Sequence, residues 1–323
     1  MIEAQFYNKL PNQKVQCKLC PKYCLIPVGE MGICRARKNI EGKLFSLNYQ
    51  QTVTISIDPI EKKPLYHFYP GNKILSLGCN SCNLTCKFCQ NYNISQLEVK
   101  TITITKEQVF DICLKNNLEM VAFTYTEPVT WYEFILECSE FLKENDIKTV
   151  LVTNGFINEK PLLKLLPYID AMNIDLKSMD EDFYENICGG ELKPVLKTIE
   201  IASKSTHLEI TNLVITNQND SLENIGKLVD FIANLNKNIP IHFSKYYPNY
   251  LMSESPTSER LLYEIYELAT KKLNFVYLGN IYFDNNTKCP NCHKILIERR
   301  YILNNYIING TCRNCGTKIY GKF

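Results

Sequence analysis

Three cysteines in one short stretch define the chemistry this chain can do. Cys82, Cys86 and Cys89 follow a C-x3-C-x2-C spacing, with the aromatic Phe88 just before the last thiol. One short loop of this kind presents three thiolates to three corners of an iron–sulfur cube. Three ligands on a four-iron cluster leave one iron open, as a catalytic zinc site differs from a structural one by its free position. Cys79, just upstream, keeps a plainer alternative alive. As a fourth ligand it would complete a ferredoxin-type cluster that only carries electrons, or a zinc site.

Two further cysteine groups stand at the ends of the chain. Cys17, Cys20, Cys24 and Cys34 fall within eighteen residues, together with Gly29 and Gly32. Such a segment buries too little to fold alone, so a metal is expected to supply its folding energy. Its x3 gap is less typical of zinc than x2, and zinc and a second four-iron cluster both remain open. Arg35 and Arg37 follow, either as a solvated face or as neighbours that tune a cluster. Cys289-x2-Cys292 and Cys312-x2-Cys315 are two knuckles separated by strand-like alternation over 294–308. This is the spacing of a structural four-thiolate zinc ribbon. Arg299, Arg300 and Arg313 offer a nucleic-acid contact there, whereas docking a partner or closing the edge of the central domain fits the charge better.

Of fifteen cysteines, Cys79, Cys113, Cys138 and Cys188 stand outside the groups. Cys113 and Cys138 sit in apolar helical patterns and read as small buried hydrophobes. With 45% hydrophobic and 22% charged residues, the composition is that of an ordinary globular chain. A net charge of +2 provides no strong field for nucleic acid or a membrane surface. Residues 1–10 lack the apolar core of a signal peptide, and no stretch is long and apolar enough to span a bilayer. A cytoplasmic location with reduced, metal-binding thiols is therefore expected.

The elements that must position these residues alternate. Apolar strands are expected at 73–77, 120–124, 149–152, 171–175, 208–214, 241–244 and 275–278, with helices at 106–116, 128–143, 158–166, 193–204, 222–234 and 259–272. Thr105, Ser221 and Ser258 are the expected caps. Alternation of this kind builds a parallel sheet wrapped into a partial (β/α)6-type barrel. The chain divides into an N-terminal cysteine module (1–60), the barrel (61–284) and a C-terminal ribbon (285–323).

In βα barrels chemistry gathers at the C-terminal ends of the strands. The cysteine loop follows the first strand, Tyr125-Thr126-Glu127-Pro128 the second and Thr153-Asn154-Gly155 the third. Asp175-Leu176-Lys177 ends the fourth strand, Asn212 lies in the fifth and His242 in the sixth. Each alone is ordinary turn or core chemistry; together with the cysteine loop they make a cofactor site.

On these residues the chain resembles the radical S-adenosylmethionine (radical SAM) enzymes. Its activases, similar to pyruvate formate-lyase activating enzyme, share Asp-Leu-Lys at 175–177 and a Gly-Gly-Glu-Pro position filled here by Tyr125-Thr126-Glu127-Pro128. Gln90-Asn91, the segment 243–248 and Val276-Tyr277-Leu278-Gly279-Asn280 are similar to the AmmeMemoRadiSam-system enzymes. The resemblance implies a 4Fe-4S cluster on Cys82, Cys86 and Cys89 whose open iron binds S-adenosylmethionine. One electron then cleaves the sulfonium, and a 5′-deoxyadenosyl radical takes hydrogen from a substrate.

It further implies Phe88 by the adenine, Glu127 with Thr126 on the ammonium, and Asn154 and His242 as cofactor contacts. Asp175 is expected at the ribose and Lys177 at the methionine carboxylate. A flavodoxin or ferredoxin is implied as reductant, and AMMECR-type and Memo-type proteins as partners. The alternatives are a glycyl-radical activase and, in another class, an iron–sulfur electron carrier or zinc-stabilised interaction protein. Tyr246, Tyr247 and Tyr250 are expected at the barrel mouth.

Overall fold

The computed structural model describes residues 1–299 and 303–323. Arg300, with Tyr301 and Ile302 of the expected strand-like stretch, lies outside the described residues. The centre of the fold is an eight-stranded sheet: β1 (Thr54–Pro59), β2 (Lys73–Gly78), β3 (Met120–Phe123), β4 (Lys148–Thr153), β5 (Ala171–Asp175), β6 (His207–Val214), β7 (Ile241–Lys245) and β8 (Val276–Gly279). Neighbours run in sequence order from β1 at one edge to β8 at the other. From β2 to β8 every pairing is parallel, and only β1 is antiparallel to its neighbour.

Strands such as Met120-Val121-Ala122-Phe123 are buried along their whole length, which a parallel sheet covered on both faces requires. The crossovers are α1 (Lys106–Lys115), α2 (Tyr132–Glu144), α3 (Glu159–Leu165), α4 (Leu192–Ser205), α5 (Leu222–Asn236) and α6 (Glu259–Thr270). In α4 the buried Leu192, Val195, Ile199 and Ala202 recur at helical spacing on the face that meets the sheet. Thr105 caps α1 in a capping box with Gln108, and Ser221 caps α5 by accepting from the Asn224 N–H. Ser258 occupies the cap of α6 without a side-chain hydrogen bond. Cys113 and Cys138 are fully buried in α1 and α2, as apolar residues.

Residues 60–72, between β1 and β2, plug the bottom of the barrel. Ile60, Leu65 and Phe68 pack there with Ile74, Met120, Val150 and Ala171. The polar part of this floor centres on Glu209 of β6. Its carboxylate accepts from Tyr66 N at 3.0 Å, His67 N at 2.7 Å, His207 Nε2 at 3.0 Å and His242 Nε2 at 2.7 Å. Burial opposes its charge, but the two histidines outweigh that and hold its pKa below the usual carboxylate range.

Short antiparallel strands build the N-terminal segment, among them Val15–Cys17, Arg37–Ile40 and Lys43–Ser46. It is fastened to α2 by Arg37, which is buried against Glu133. At the other end, Thr287–Lys288, Ile295–Arg299 and Leu303–Asn305 form a separate small sheet. The ribbon covers the floor instead of extending the barrel sheet: Tyr320 hydrogen-bonds to His67 and Leu208, and Lys322 pairs with Phe68. Arg299 is engaged in the same contact, with its guanidinium 4.4 Å over the Tyr66 ring.

Candidate active site

A cleft of about 340 Å³ opens at the C-terminal ends of the strands. The loop after β2 contributes Cys82, Cys86, Phe88 and Cys89, and the loop after β3 contributes Thr126 and Glu127. Thr153 and Asn154 come from the end of β4, and Asp175 and Lys177 from the end of β5. Nine of the ten residues expected to ligate the central cluster or contact the cofactor therefore share one wall or another of this cleft. The tenth, His242, does not line it; its ring is bonded to Glu209 and stacked on Tyr277 in the barrel floor.

The three thiols line one cleft without all coming within 4.8 Å of one another. Cys79 lies outside the cleft lining, its Sγ 3.5 Å from the hydroxyls of Thr126 and Thr130. Asn154 stands 3.8 Å from the Cys82 sulfur and hydrogen-bonds Asn83 at 2.9 Å.

Glu127 is wholly buried and ties two strand ends together. Its carboxylate accepts from the Thr153 hydroxyl at 2.7 Å, Asn154 N at 2.8 Å and Val129 N at 3.0 Å. Burial nevertheless pushes its pKa up to about 7, against these hydrogen bonds and the charge of Lys177. Lys177 donates to Asp175 at 2.8 Å and stands 5.8 Å over the Phe88 ring. Burial works against its ammonium, but Asp175 and Cys86 outweigh it and hold the pKa well above the lysine range. The site thus sets a proton-poised acid and a permanent cation around three thiols, the charges that an amino acid's ammonium and carboxylate would meet.

Residues 77–232 match the family described as the Radical SAM superfamily. Over 333 aligned positions, covering 99% of both chains, the sequence is 41% identical to the uncharacterized protein MJ0808 of Methanocaldococcus jannaschii. The chain belongs to the radical SAM superfamily. It is also 26% identical to the 4-hydroxyphenylacetate decarboxylase activating enzyme of Clostridium scatologenes, over 66% of this chain and 78% of that one. The pyruvate formate-lyase-activating enzyme of Clostridium pasteurianum is 27% identical over 48% of this chain and 67% of its own. In fold, the radical SAM chain is similar to Streptococcus suis SuiB bound to S-adenosylmethionine, with a TM-score of 0.50 at 19% identity over 62% of this chain and 49% of that one.

Within this radical SAM site several contacts were not readable from the sequence. Tyr125 takes a left-handed backbone, φ 69°, where the activase pattern has glycine. It is held by Asn91, which donates to its carbonyl at 2.6 Å, and by its own hydroxyl, which donates to Asp58 at 2.6 Å. Asp58 also accepts from the buried Lys63 at 2.8 Å, and Lys63 lines the cleft. Asp58 and Lys63 come from β1 and the floor loop, far from any motif, so spacing could not reveal them.

Cys188 ends a π-helical turn, Tyr184–Cys188, and its carbonyl accepts from Thr85 N at 2.9 Å inside the cysteine loop. Gly189 follows with φ 67°, and a Cβ there would collide with the Thr85 hydroxyl. The Gly-Gly pair after Cys188 was the only available sign that a backbone passes close there. At the mouth, Tyr250 stacks on Tyr92 at 4.6 Å and Tyr246 is fully buried; neither lines the cleft, nor does Tyr247. Arg35 donates to the Ser95 and Gln96 carbonyls, so it is tied to the segment after the cysteine loop instead of lying in solvent.

The four C-terminal thiols converge. Cys289 to Cys315 and Cys292 to Cys312 are each 3.6 Å apart, and all four lie within 4.8 Å of one another. That geometry fits one tetrahedral metal ion. Among the described residues no helix is long and apolar enough to cross a membrane.

Proposed function

We propose that the chain is an enzyme that reductively cleaves S-adenosylmethionine and abstracts hydrogen from a substrate yet to be identified. The observation that carries this reading is the placement of Cys82, Cys86 and Cys89 on the cleft with Cys79 outside it. Cys82, Cys86 and Cys89 would hold three irons of a four-iron cluster, and Glu127, Asp175 and Lys177 line the same cleft. Bound there, the cluster would supply the electron that breaks the sulfonium and yields the 5′-deoxyadenosyl radical. Glu127 accepts the cofactor's ammonium, with Thr126 beside it, and Lys177 pairs with its carboxylate. Asp175 would meet the ribose hydroxyls and Phe88 the adenine. Asn154 keeps Glu127 and the Cys82 loop in register through its backbone N–H and its amide.

The reductant is a flavodoxin or ferredoxin, and the C-terminal ion is zinc holding a structural ribbon. The sequence likeness to the AmmeMemoRadiSam group favours AMMECR-type and Memo-type proteins as partners in the cytoplasm. A second reading, activation of a glycyl-radical enzyme, is favoured by the relatives named as activating enzymes. The carrier reading needs Cys79 as a ligand, and its hydrogen bonds to Thr126 and Thr130 favour a buried structural thiol.

The test is 5′-deoxyadenosine formation by anaerobically reconstituted, dithionite-reduced protein. Wild type and Cys79→Ala are expected to form it, and Cys86→Ala to form none. An iron-loaded wild type that leaves S-adenosylmethionine intact, or a Cys79→Ala variant that loses its cluster, overturns the reading in favour of the carrier.

A further inference from the structure

The N-terminal cysteines differ from the C-terminal four in a way the spacing alone did not settle. A single zinc ion at about 2.3 Å from each sulfur would draw four thiols to about 3.8 Å from one another. The C-terminal four have that arrangement before any ion is present. No three of Cys17, Cys20, Cys24 and Cys34 come within 4.8 Å of one another. Instead, all four line one small cavity with Gly32, Arg37 and Asn83. They share the wider spread with Cys82, Cys86 and Cys89, the set whose family ligates a four-iron cluster.

The wall of this cavity is built for close approach, with a buried ion pair beside it. A Cβ on Gly32 would stand 3.3 Å from Ile26 Cδ1 and 3.7 Å from the Cys24 sulfur. Arg37 is 1% exposed and lines the cavity, while Glu133 takes two of its hydrogen bonds. Ser81 donates to the Cys34 carbonyl at 2.8 Å. Asn83 lines this cavity while its neighbour Cys82 lines the catalytic cleft, so the two sites stand back to back across one residue.

We propose that Cys17, Cys20, Cys24 and Cys34 hold a second four-iron cluster, fully ligated by thiolates and seated directly behind the Cys82 loop. With four protein ligands it has no open iron, and its chemistry is that of an electron carrier. The inference rests on the spread of the thiols and not on the proposed cofactor cleavage.

The experiment measures iron, acid-labile sulfide and zinc in anaerobically reconstituted full-length protein, with Mössbauer spectra of the iron. The variants are wild type and the triple Cys82→Ala, Cys86→Ala, Cys89→Ala protein. The proposal expects roughly eight irons and one zinc per wild-type chain, and roughly four irons with as much sulfide in the triple variant, as a four-thiolate cubane. A triple variant with no iron and two zinc ions per chain overturns it. Should the triple variant not fold, the wild type still decides: roughly four irons with two zinc ions also overturn it. Failure of the radical reading would appear separately, as intact S-adenosylmethionine with both clusters in place.

Discussion

The Arg37 guanidinium donates twice to the Glu133 carboxylate, at 3.0 and 2.7 Å, with both groups excluded from water. This pair joins the N-terminal cysteine segment to α2 of the barrel, and so couples the stability of one to the position of the other. Truncating Arg37 to alanine leaves an uncompensated buried carboxylate, at a cost of about 3–5 kcal/mol. The expected outcome is a lower denaturant midpoint together with loss of metal from the N-terminal site. An Arg37→Ala midpoint equal to wild type would show that the pair does not fasten the segment.

Gly189 and Gly226 make a matched comparison. Alanine at Gly189 must adopt a left-handed backbone, costing about 1–2 kcal/mol, and also push on Thr85 between Cys82 and Cys86. Gly226, inside α5, has nothing within 4 Å of its would-be Cβ, so alanine there should stabilise by about 0.5–1 kcal/mol. Melting temperature and iron content are both expected to fall for Gly189→Ala, and both to be raised or unchanged for Gly226→Ala; a Gly189→Ala protein that keeps both would show that packing at Thr85 is unimportant.

Glu127 should impose a pH dependence on cofactor binding. With its pKa near 7, it is largely protonated below neutrality and must lose that proton before accepting an ammonium. Affinity for S-adenosylmethionine is therefore expected to fall about tenfold per pH unit below 7 and to level off above it. Calorimetry across this range should find the dependence in wild type and its loss in Glu127→Gln.

The barrel floor should make the protein acid-labile. Burial lowers the His67 pKa to about 3, so the folded ring stays neutral while the unfolded one protonates below about 6.5. The unfolded state then binds more protons, and stability falls as pH drops from about 6.5 toward 3, by at most about 1.4 kcal/mol per pH unit. Glu209, with its depressed pKa, adds loss in the same direction below the normal carboxylate range. Urea midpoints at pH 7, 6 and 5 should decline in wild type, and His67→Phe should flatten the part above pH 5.

Much of the barrel was legible because its parallel strands are apolar throughout and the polar residues that break the pattern sit at their ends. Each expected strand matched an observed one to within a residue or two, and Glu127, Asp175 and Lys177 could be placed from strand ends alone. β1 was hidden because its alternation runs outward: Ile55 and Ile57 are exposed while Asp58 is buried. The expected 128–143 helix is divided, with a tight turn at Pro128–Trp131 before α2, because Glu127 caps the chain there. His242 occupies a strand position that a cofactor contact could share. What draws it downward is Glu209, one strand away and 33 residues earlier, which no local pattern reveals.

The floor also imposes an order on biosynthesis. Tyr320 meets His67, and Lys322 meets Phe68, across about 250 residues of sequence. While the chain emerges from the ribosome, the barrel can assemble its strands in turn, yet the outer side of its 60–72 plug stays uncovered until residue 322 has been made. Until then His67 lacks its Tyr320 partner, and the ribbon acts as the final latch on the nascent barrel.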